Sequence, residues 1–195
     1  PVIIALFIVV VIPFFYGIYY SFTDWNGVSE AALVGFSNYS KLLKDQEFWT
    51  SIWFTTKFAF VAIILINAIG LGLALLVTNK FKGANLLRTI FFMPNLIGGL
   101  ILGFIWQFIF INAFSAIGDV LNSTGLKTWL STPETGFWAM VIVMCWQMSG
   151  YVMVIYISYL QSVDDALLEA SDLDGASAFQ KFWHVKFPLI MPGFT

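Results

Sequence analysis

The 195-residue chain is 59% hydrophobic and only 10% charged, with a net charge of −2 and a mean hydropathy of +0.86. Soluble domains average about 25% charged residues, so this composition excludes a water-soluble domain and predicts an all-α integral membrane protein, a polytopic helical bundle. The slight negative charge argues against a nucleic-acid partner, and a single cysteine, Cys145, excludes an intramolecular disulfide.

The first predicted span, residues 1–22, is almost wholly apolar. At about 1.5 Å per helical residue it is long enough to cross a hydrocarbon core of roughly 30 Å. It has no small-residue cleavage site, which argues against a signal peptide. Aromatic residues near its end are typical of a membrane interface. They are Tyr16, Tyr19, Tyr20 and Trp25.

The next segment, residues 23–50, is predicted to lie outside the membrane. Its aromatic, leucine and lysine residues between 36 and 49 indicate a short amphipathic helix on the membrane surface. The second predicted span follows at 51–78. Gly70 and Gly72 within it permit a close approach of another helix.

A short basic segment sets the predicted orientation. Residues 79–88 carry three cations and no acidic residue, so the positive-inside rule places this segment in the cytoplasm. The third span is predicted at 89–111 and the fourth at 137–160. The segment 161–187 comes two spans after the basic one, and we therefore expect it on the same cytoplasmic side.

The whole chain, 1–195, is expected to be one transmembrane domain with four complete spans and the start of a fifth at 188–195. The first residue is Pro1 rather than Met, and Thr195 lies within an apolar run. These two features lead us to expect a chain that is truncated at both ends.

Polar residues beside tryptophan in the spans are candidates for a substrate path. Buried polar groups in a membrane need partners or a water-filled cavity. A tryptophan ring stacks on the apolar face of a sugar, and an amide binds its hydroxyl groups. The alternative is that the tryptophans lie at the interface and the amides join helices by hydrogen bonds. The candidates are Trp106, Gln107, Trp146, Gln147 and Tyr151.

The acidic segment 161–187 separates two apolar runs. Ser162 is predicted to cap a helix whose first turn carries Asp164 and Asp165, because carboxylates favour the positive end of the helix dipole. Gly175 is predicted to let the chain turn. A second helix, 176–187, is predicted to end before the following proline. The first helix has an acidic face and an apolar face; the apolar face is Val163, Ala166, Leu167, Ala170 and Leu173.

The order of residues in this segment resembles the EAA loop of ABC importer permeases. Glu169-Ala170-Ser171 is followed by Asp174-Gly175-Ala176, and Pro188 and Pro192 come later. Ser171 replaces the usual second alanine, and phenylalanine precedes the first proline where leucine is usual. The Asp-Gly-Ala sequence, together with Gly35-Phe36-Ser37-Asn38-Tyr39 before the second span, looks most like the sugar-type permeases.

The resemblance implies a type I importer permease in a bacterial cytoplasmic (inner) membrane, forming the path for a sugar or sugar-like solute. It implies separate ABC ATPase subunits, a second permease, usually a related heterodimer partner, and an extracytoplasmic solute-binding protein. It implies no cofactor on this chain, since ATP and Mg²⁺ would bind the ATPase. It also implies that loop 161–187 couples to that ATPase. The residues carried over for coupling are Glu169, Ala170, Ser171, Asp174, Gly175 and Ala176.

Motifs for catalysis and metal binding are missing from the sequence. It contains no Gly-x-x-x-x-Gly-Lys-Ser/Thr, no His-Glu-x-x-His and no cysteine cluster. The lone histidine, His184, is expected to meet the helix dipole or lipid headgroups rather than a metal. We therefore predict a transport subunit rather than an enzyme.

Two other classes of membrane protein remain as alternatives. An ion-coupled secondary transporter should carry charged or strongly polar residues at mid-membrane, where only Asn67 and Asn95 are found. A non-transporting membrane scaffold would use the acidic loop only to bind a partner.

Overall fold

The computed structural model describes residues 1–28, 30–78 and 82–194, in which four helices are long and apolar enough to cross a membrane. These four are α1, α3, α5 and α7 below. Asn79, Lys80 and Phe81 of the predicted basic segment lie outside the described residues. In chain order the helices are α1 (Val2–Ser21), α2 (Ser37–Lys44), α3 (Gln46–Thr78), α4 (Ala84–Phe92), α5 (Gly99–Val120), α6 (Thr124–Lys127), α7 (Pro133–Gln161), α8 (Asp165–Leu173) and α9 (178–190).

Helices α3 and α7 overlap the predicted second and fourth spans but start a few residues earlier. The Oδ1 of Asp45 accepts a hydrogen bond from the backbone N–H of Glu47 at 2.8 Å at the start of α3. Thr132 caps α7 by accepting from the N–H of Thr135 at 3.3 Å, and Pro133 occupies the first turn. Both starts use capping residues that the apolar pattern alone does not reveal.

The third span differs from its prediction at 89–111. Helix α4 ends at Phe92, one 3₁₀ turn follows at Met93–Leu96, and the chain is extended at Ile97 before α5. Pro94 in that turn has no N–H and cannot continue the hydrogen-bond ladder of α4. The apolar composition runs through this break, which is why the sequence prediction placed the start of the span within α4, whereas the structure places it at α5.

In the first of two compact units, Pro1–Lys57, the Asn38-Tyr39 pair that precedes the second span joins α2 to the end of α1. The side-chain amide of Asn38 donates to the carbonyls of Ser21 at 3.1 Å and Thr23 at 2.7 Å. The hydroxyl of Tyr39 shares a 2.6 Å hydrogen bond with the Oγ of Ser21. These bonds satisfy groups left free at the C-terminal end of α1 and hold α2 beside it.

In the second unit, Phe58–Thr195, helices α3 and α7 pack in parallel. Two buried clusters join the helices, and the second cluster contains higher-numbered residues of both α3 and α7 than the first. Their C-terminal ends therefore lie at the same end of the pair, where residues 82–88 and the loop after α7 begin. The clusters are Ala62, Ile66, Phe137, Val141 and Cys145, then Ala74, Val77, Met153, Tyr156 and Ile157.

Glycines allow the backbones in this unit to approach closely. A Cβ at Gly70 of α3 would lie 2.8 Å from the Cγ1 of Val152 on α7. A Cβ at Gly150 of α7 would overlap the backbone carbonyl of Phe91 at the end of α4. Small residues at helix contacts are the usual means of tight packing in a membrane, so these two positions fix α7 against both neighbours.

A polar contact also joins α3 and α7. The fully buried Tyr156 donates its hydroxyl hydrogen to the Oδ1 of Asn67, with 2.5 Å between the oxygens. The amide nitrogen of Asn67 donates to the carbonyl of Ile63, one turn back, at 2.8 Å. Asn67, one of two mid-span polar residues considered for ion coupling, is thus engaged in a contact between helices.

Helix α9 passes through Pro188, where the sequence predicted its end. It starts at Ala178 rather than at residue 176, because Ser177 caps it. A π turn at Phe182–Lys186 precedes the proline, and the N–H of Phe187 bonds to the carbonyl five residues back. The wider turn accommodates the ring, so the proline continues the helix instead of stopping it.

Candidate functional sites

The acidic helix α8 starts with a different cap from the predicted one. The Oδ1 of Asp164 accepts a hydrogen bond from the N–H of Ala166 at 2.9 Å. Ser162 instead donates its hydroxyl to the carbonyl of Tyr159 at 2.8 Å, at the end of α7. Serine and aspartate both cap helices well. Because the hydroxyl of Ser162 is already bonded at the end of α7, Asp164 caps α8.

The turn after α8 is a Schellman motif centred on Gly175, whose φ is +76°. The N–H of Gly175 bonds to the carbonyl of Asp172 at 3.1 Å, and the N–H of Ala176 bonds to the carbonyl of Ser171 at 3.0 Å. These are the two bonds that define the motif, and the left-handed position between them favours glycine. The predicted turn at Gly175 thus has a defined geometry.

Most of the apolar face predicted for α8 is exposed in the described part of the chain, and Val163 before the helix is partly buried. Leu173 is 89% exposed and Leu167 is 48% exposed. The side chain that α8 buries is Ser171, whose hydroxyl donates to the carbonyl of Leu168 at 2.7 Å. Glu169 is exposed on the acidic face. The helix therefore offers leucines and carboxylates together at a surface.

An ion pair crosses the turn between α8 and α9. The ammonium group of Lys181 contacts the Oδ1 of Asp172, and the lysine side chain is only 19% exposed. A capping box opens α9, since the N–H of Ser177 donates to Gln180 at 2.8 Å and the N–H of Gln180 donates to Ser177 at 3.3 Å. Neither feature belonged to the predicted site, although a Ser-x-x-Gln spacing is a recognisable signal for such a box.

A polar hollow of about 420 Å³ lies where α8 turns into α9. Four of the residues carried over for coupling, Ser171, Asp174, Gly175 and Ala176, line it together with side chains of α9. Glu169 and Ala170 are exposed elsewhere on α8. Four of the six predicted coupling residues thus lie around the turn between α8 and α9, and the other two lie on the exposed surface of α8.

A cavity of about 400 Å³ between α5 and α7 brings together three of the five predicted substrate-path residues. They are Trp106, Gln107 and Gln147, and Met140 and Met144 of α7 also line it. The volume lies in the range of about 300–1,000 Å³ typical of small-molecule sites. An aromatic ring and two amides therefore line one space.

The other two predicted residues lie elsewhere. Trp146 lines a neighbouring apolar cavity of about 530 Å³ and meets the ring of Trp106 edge to face, with 5.5 Å between centroids. Tyr151 is 46% exposed and is absent from the described lining of both cavities. The two tryptophans thus form a wall between the cavities, and the tyrosine lies one turn beyond Gln147.

The model of the protein family described as "Binding-protein-dependent transport system inner membrane component" matches residues 67–195 of the chain. The chain is 56% identical over its whole length to the probable starch degradation products transport system permease protein AmyD of Thermoanaerobacterium thermosulfurigenes, of which it covers 67%. It is 32% identical, over 94% of its length, to the multiple sugar-binding transport system permease protein MsmF of Streptococcus mutans and covers 64% of that protein.

The fold is also similar to that of a solved transporter. One chain of a bacterial alginate ABC transporter, crystallised with an alginate pentasaccharide-bound periplasmic protein, superposes with a TM-score of 0.82 at 18% identity. The match covers 98% of this chain and 65% of that one. The chain therefore spans about two thirds of the length of the relatives it matches.

Proposed function

Because the chain belongs to the family of binding-protein-dependent transport system inner membrane components, we propose that it forms part of the translocation path of a sugar importer. The family consists of transport subunits rather than enzymes, and the chain is an integral inner membrane protein. The observation that carries the proposal is the cavity lined by Trp106, Gln107 and Gln147.

The substrate we propose is an uncharged carbohydrate. The described lining of the cavity contains indole, amide, thioether and hydrocarbon groups and no ionisable side chain. An acidic sugar would leave its carboxylate without a counter-charge in a site of low polarity, which is costly. An uncharged sugar can stack on the indole of Trp106 and bond through its hydroxyls to the amides.

We propose that α8 binds a separate ATPase at the cytoplasmic face. Exposed leucines beside exposed carboxylates support this, because such a mixed surface suits an apolar groove with a basic rim. The Schellman turn at Gly175 then carries movement of α8 into α9. The ATP and Mg²⁺ of transport would bind the ATPase, and this chain would bind neither.

The cytoplasmic position of loops 79–88 and 161–187 is part of the proposal. The parallel packing of α3 and α7 supports their lying on one side, and the cations of the first loop favour the cytoplasm. The remaining partners we propose are an extracytoplasmic solute-binding protein and a second permease, a related heterodimer partner. Family membership disfavours the ion-coupled transporter and the scaffold.

Uptake by the full-length protein, reconstituted in vesicles with its partner subunits, tests the function. We expect ATP-dependent accumulation of a radiolabelled malto-oligosaccharide and no accumulation of an alginate oligosaccharide. Gln147→Ala should lower uptake at limiting sugar roughly two- to tenfold, because one hydrogen bond usually changes a binding constant by about that factor.

Ser158→Ala is the matched control for this experiment. Ser158 is an exposed polar residue of the same helix whose hydroxyl donates to the carbonyl of Val154 within α7. Its replacement should leave uptake unchanged. Equal uptake by Gln147→Ala and the wild type at limiting sugar would contradict the assignment of this cavity.

A further inference from the structure

The ion pair between Asp172 and Lys181 joins the two helices on either side of Gly175. Asp172 lies in the last turn of α8, and Lys181 lies in the first turn of α9. The carboxylate is 62% exposed, whereas the lysine side chain is 19% exposed. The lysine is thus held along the protein surface, with its charged end at the aspartate.

The backbone bonds of the turn do not by themselves hold the two helices together beyond the turn. The Schellman bonds end at Ala176, and the capping box joins only Ser177 and Gln180. Each set of bonds belongs to one helix end and its immediate neighbours. In the part of the chain that the structure describes, α8 also packs against Phe182–Lys186 of α9, and the side-chain hydrogen bond from α8 to α9 is this pair, whose partners are nine positions apart.

We infer that Asp172 and Lys181 are positioning residues that set the angle of α8 against α9. The inference rests on the proposed function in one respect only: that α8 transmits movement from an ATPase. A fixed angle makes α8 and α9 move as one body, since helices resist bending and the turn is the compliant point. Without the pair, part of the movement of α8 would be absorbed at the turn, and less of it would reach the span.

The expected size of the effect follows from the exposure of the pair. Partly exposed ion pairs shift an equilibrium by up to roughly fivefold. Loss of the pair should therefore broaden the range of angles while both helices stay folded. Uptake per ATP hydrolysed should fall roughly two- to fivefold, and the amount of ATPase bound should stay the same.

A distance measurement on the full-length protein tests the angle without any assay of transport. Spin labels on cysteines at Ala166 and Ala178, both exposed, report the distance between α8 and α9 in a Cys145→Ala background. Asp172→Asn and Lys181→Gln should each broaden the distribution of distances. The exchanged pair, Asp172→Lys with Lys181→Asp, should narrow it again.

Two matched variants serve as controls for the charge changes. Asp165→Asn removes another exposed acid of α8, and Lys186→Gln removes another lysine of α9. Both should leave the distribution narrow. Single variants with wild-type distributions, or an exchanged pair as broad as the single variants, would overturn the inference.

Vesicle transport by the same variants separates this inference from the proposed function. If the pair sets the angle, the single variants hydrolyse ATP but import less sugar for each ATP, and the exchanged pair recovers. A wild-type protein that imports no sugar, while its distance distribution still depends on the pair, would overturn the proposed function and support the positioning role. Unchanged import per ATP in the single variants would overturn the role in transport.

Discussion

Helices α7 and α8 differ in the residues that distinguish their contact surfaces. The side of α7 that packs on α3 and α4 buries apolar residues such as Met153, and what distinguishes it is the presence of Ser149, Gly150 and the hydroxyl of Tyr156 among them. In α8 the available contact surface carries Leu167 and Leu173. Lipid is as apolar as leucine, so apolar residues do not identify a protein contact in a membrane, whereas small and polar ones do. Outside the membrane the rule is reversed.

Replacing a buried side chain of α7 should have the largest effect, because α7 buries its apolar contact residues whereas α8 leaves Leu167 and Leu173 exposed. Met153 is fully buried against α3, whereas Leu173 of α8 is 89% exposed. Met153→Ala should lower the free energy of unfolding by about 2–5 kcal/mol, because it leaves a cavity. Leu173→Ala should change it by less than about 0.5 kcal/mol. Thermal unfolding in detergent measures both losses, and equal losses would contradict this difference in burial between the two helices.

A methyl group added to the small-residue face of α7 should have the next largest effect. Gly150→Ala should cost about 1–3 kcal/mol of stability, because its Cβ meets the backbone of Phe91 rather than a side chain that can move. Gly72→Ala is the control, since a Cβ at Gly72 meets no described atom within 4 Å. The same unfolding measurement checks both variants, and similar melting temperatures would refute the prediction.

The turn after α8 should respond to backbone strain with a smaller loss of stability and a large loss of coupling. Gly175→Val places a β-branched residue at a φ of +76°, which costs roughly 1–2 kcal/mol. The protein should insert normally but hydrolyse ATP without import. Gly175→Asn should retain more import, because asparagine tolerates this conformation better. Phosphate release and sugar uptake are measured together. Import by the valine variant at the rate of the wild type would contradict the prediction.

Charge reversal on the exposed face of α8 should have the smallest effect on stability. Glu169→Lys should change the free energy of unfolding by less than about 0.5 kcal/mol, yet it should release the ATPase from the solubilised complex. Asp165→Lys is a better control than a change at Asp164, because Asp164 caps the helix. Pull-downs at two salt concentrations measure retention. Equal, salt-sensitive losses for both variants would indicate only a screened surface attraction.

The features that the sequence predicted well are those with a local cause. Long apolar runs have one stable solution in a membrane, so the composition predicted the helical fold. A glycine after an amphipathic helix indicates a C-terminal cap, and Gly175 has the positive φ that such a cap needs. The sequence paired Trp106 with Gln107 and Trp146 with Gln147, whereas the structure places Trp106, Gln107 and Gln147 on one cavity and Trp146 on another. Their role in a substrate path stays a prediction.

The features that the sequence did not predict depend on competition between neighbouring capping residues or on contacts between residues far apart in the sequence. Two residues suited to capping, Ser162 and Asp164, stand close together, and the end of α7 decides between them. The break at Pro94 is hidden because both sides of it are apolar. Tyr151 lies on the same side of α7 as Gln147, but the cavity ends before the next turn. None of these outcomes follows from residue periodicity alone.

The hydrogen bond between Asn67 and Tyr156 has a consequence for biosynthesis. Its partners are 89 positions apart, and chains grow at about 5–20 residues per second, so α3 is made on the order of ten seconds before its partner. During that interval the amide nitrogen of Asn67 can bond to the carbonyl of Ile63, but its oxygen has no tyrosine to accept from. The newly made α3 therefore holds a polar oxygen in the membrane that stays without its tyrosine donor until α7 is made.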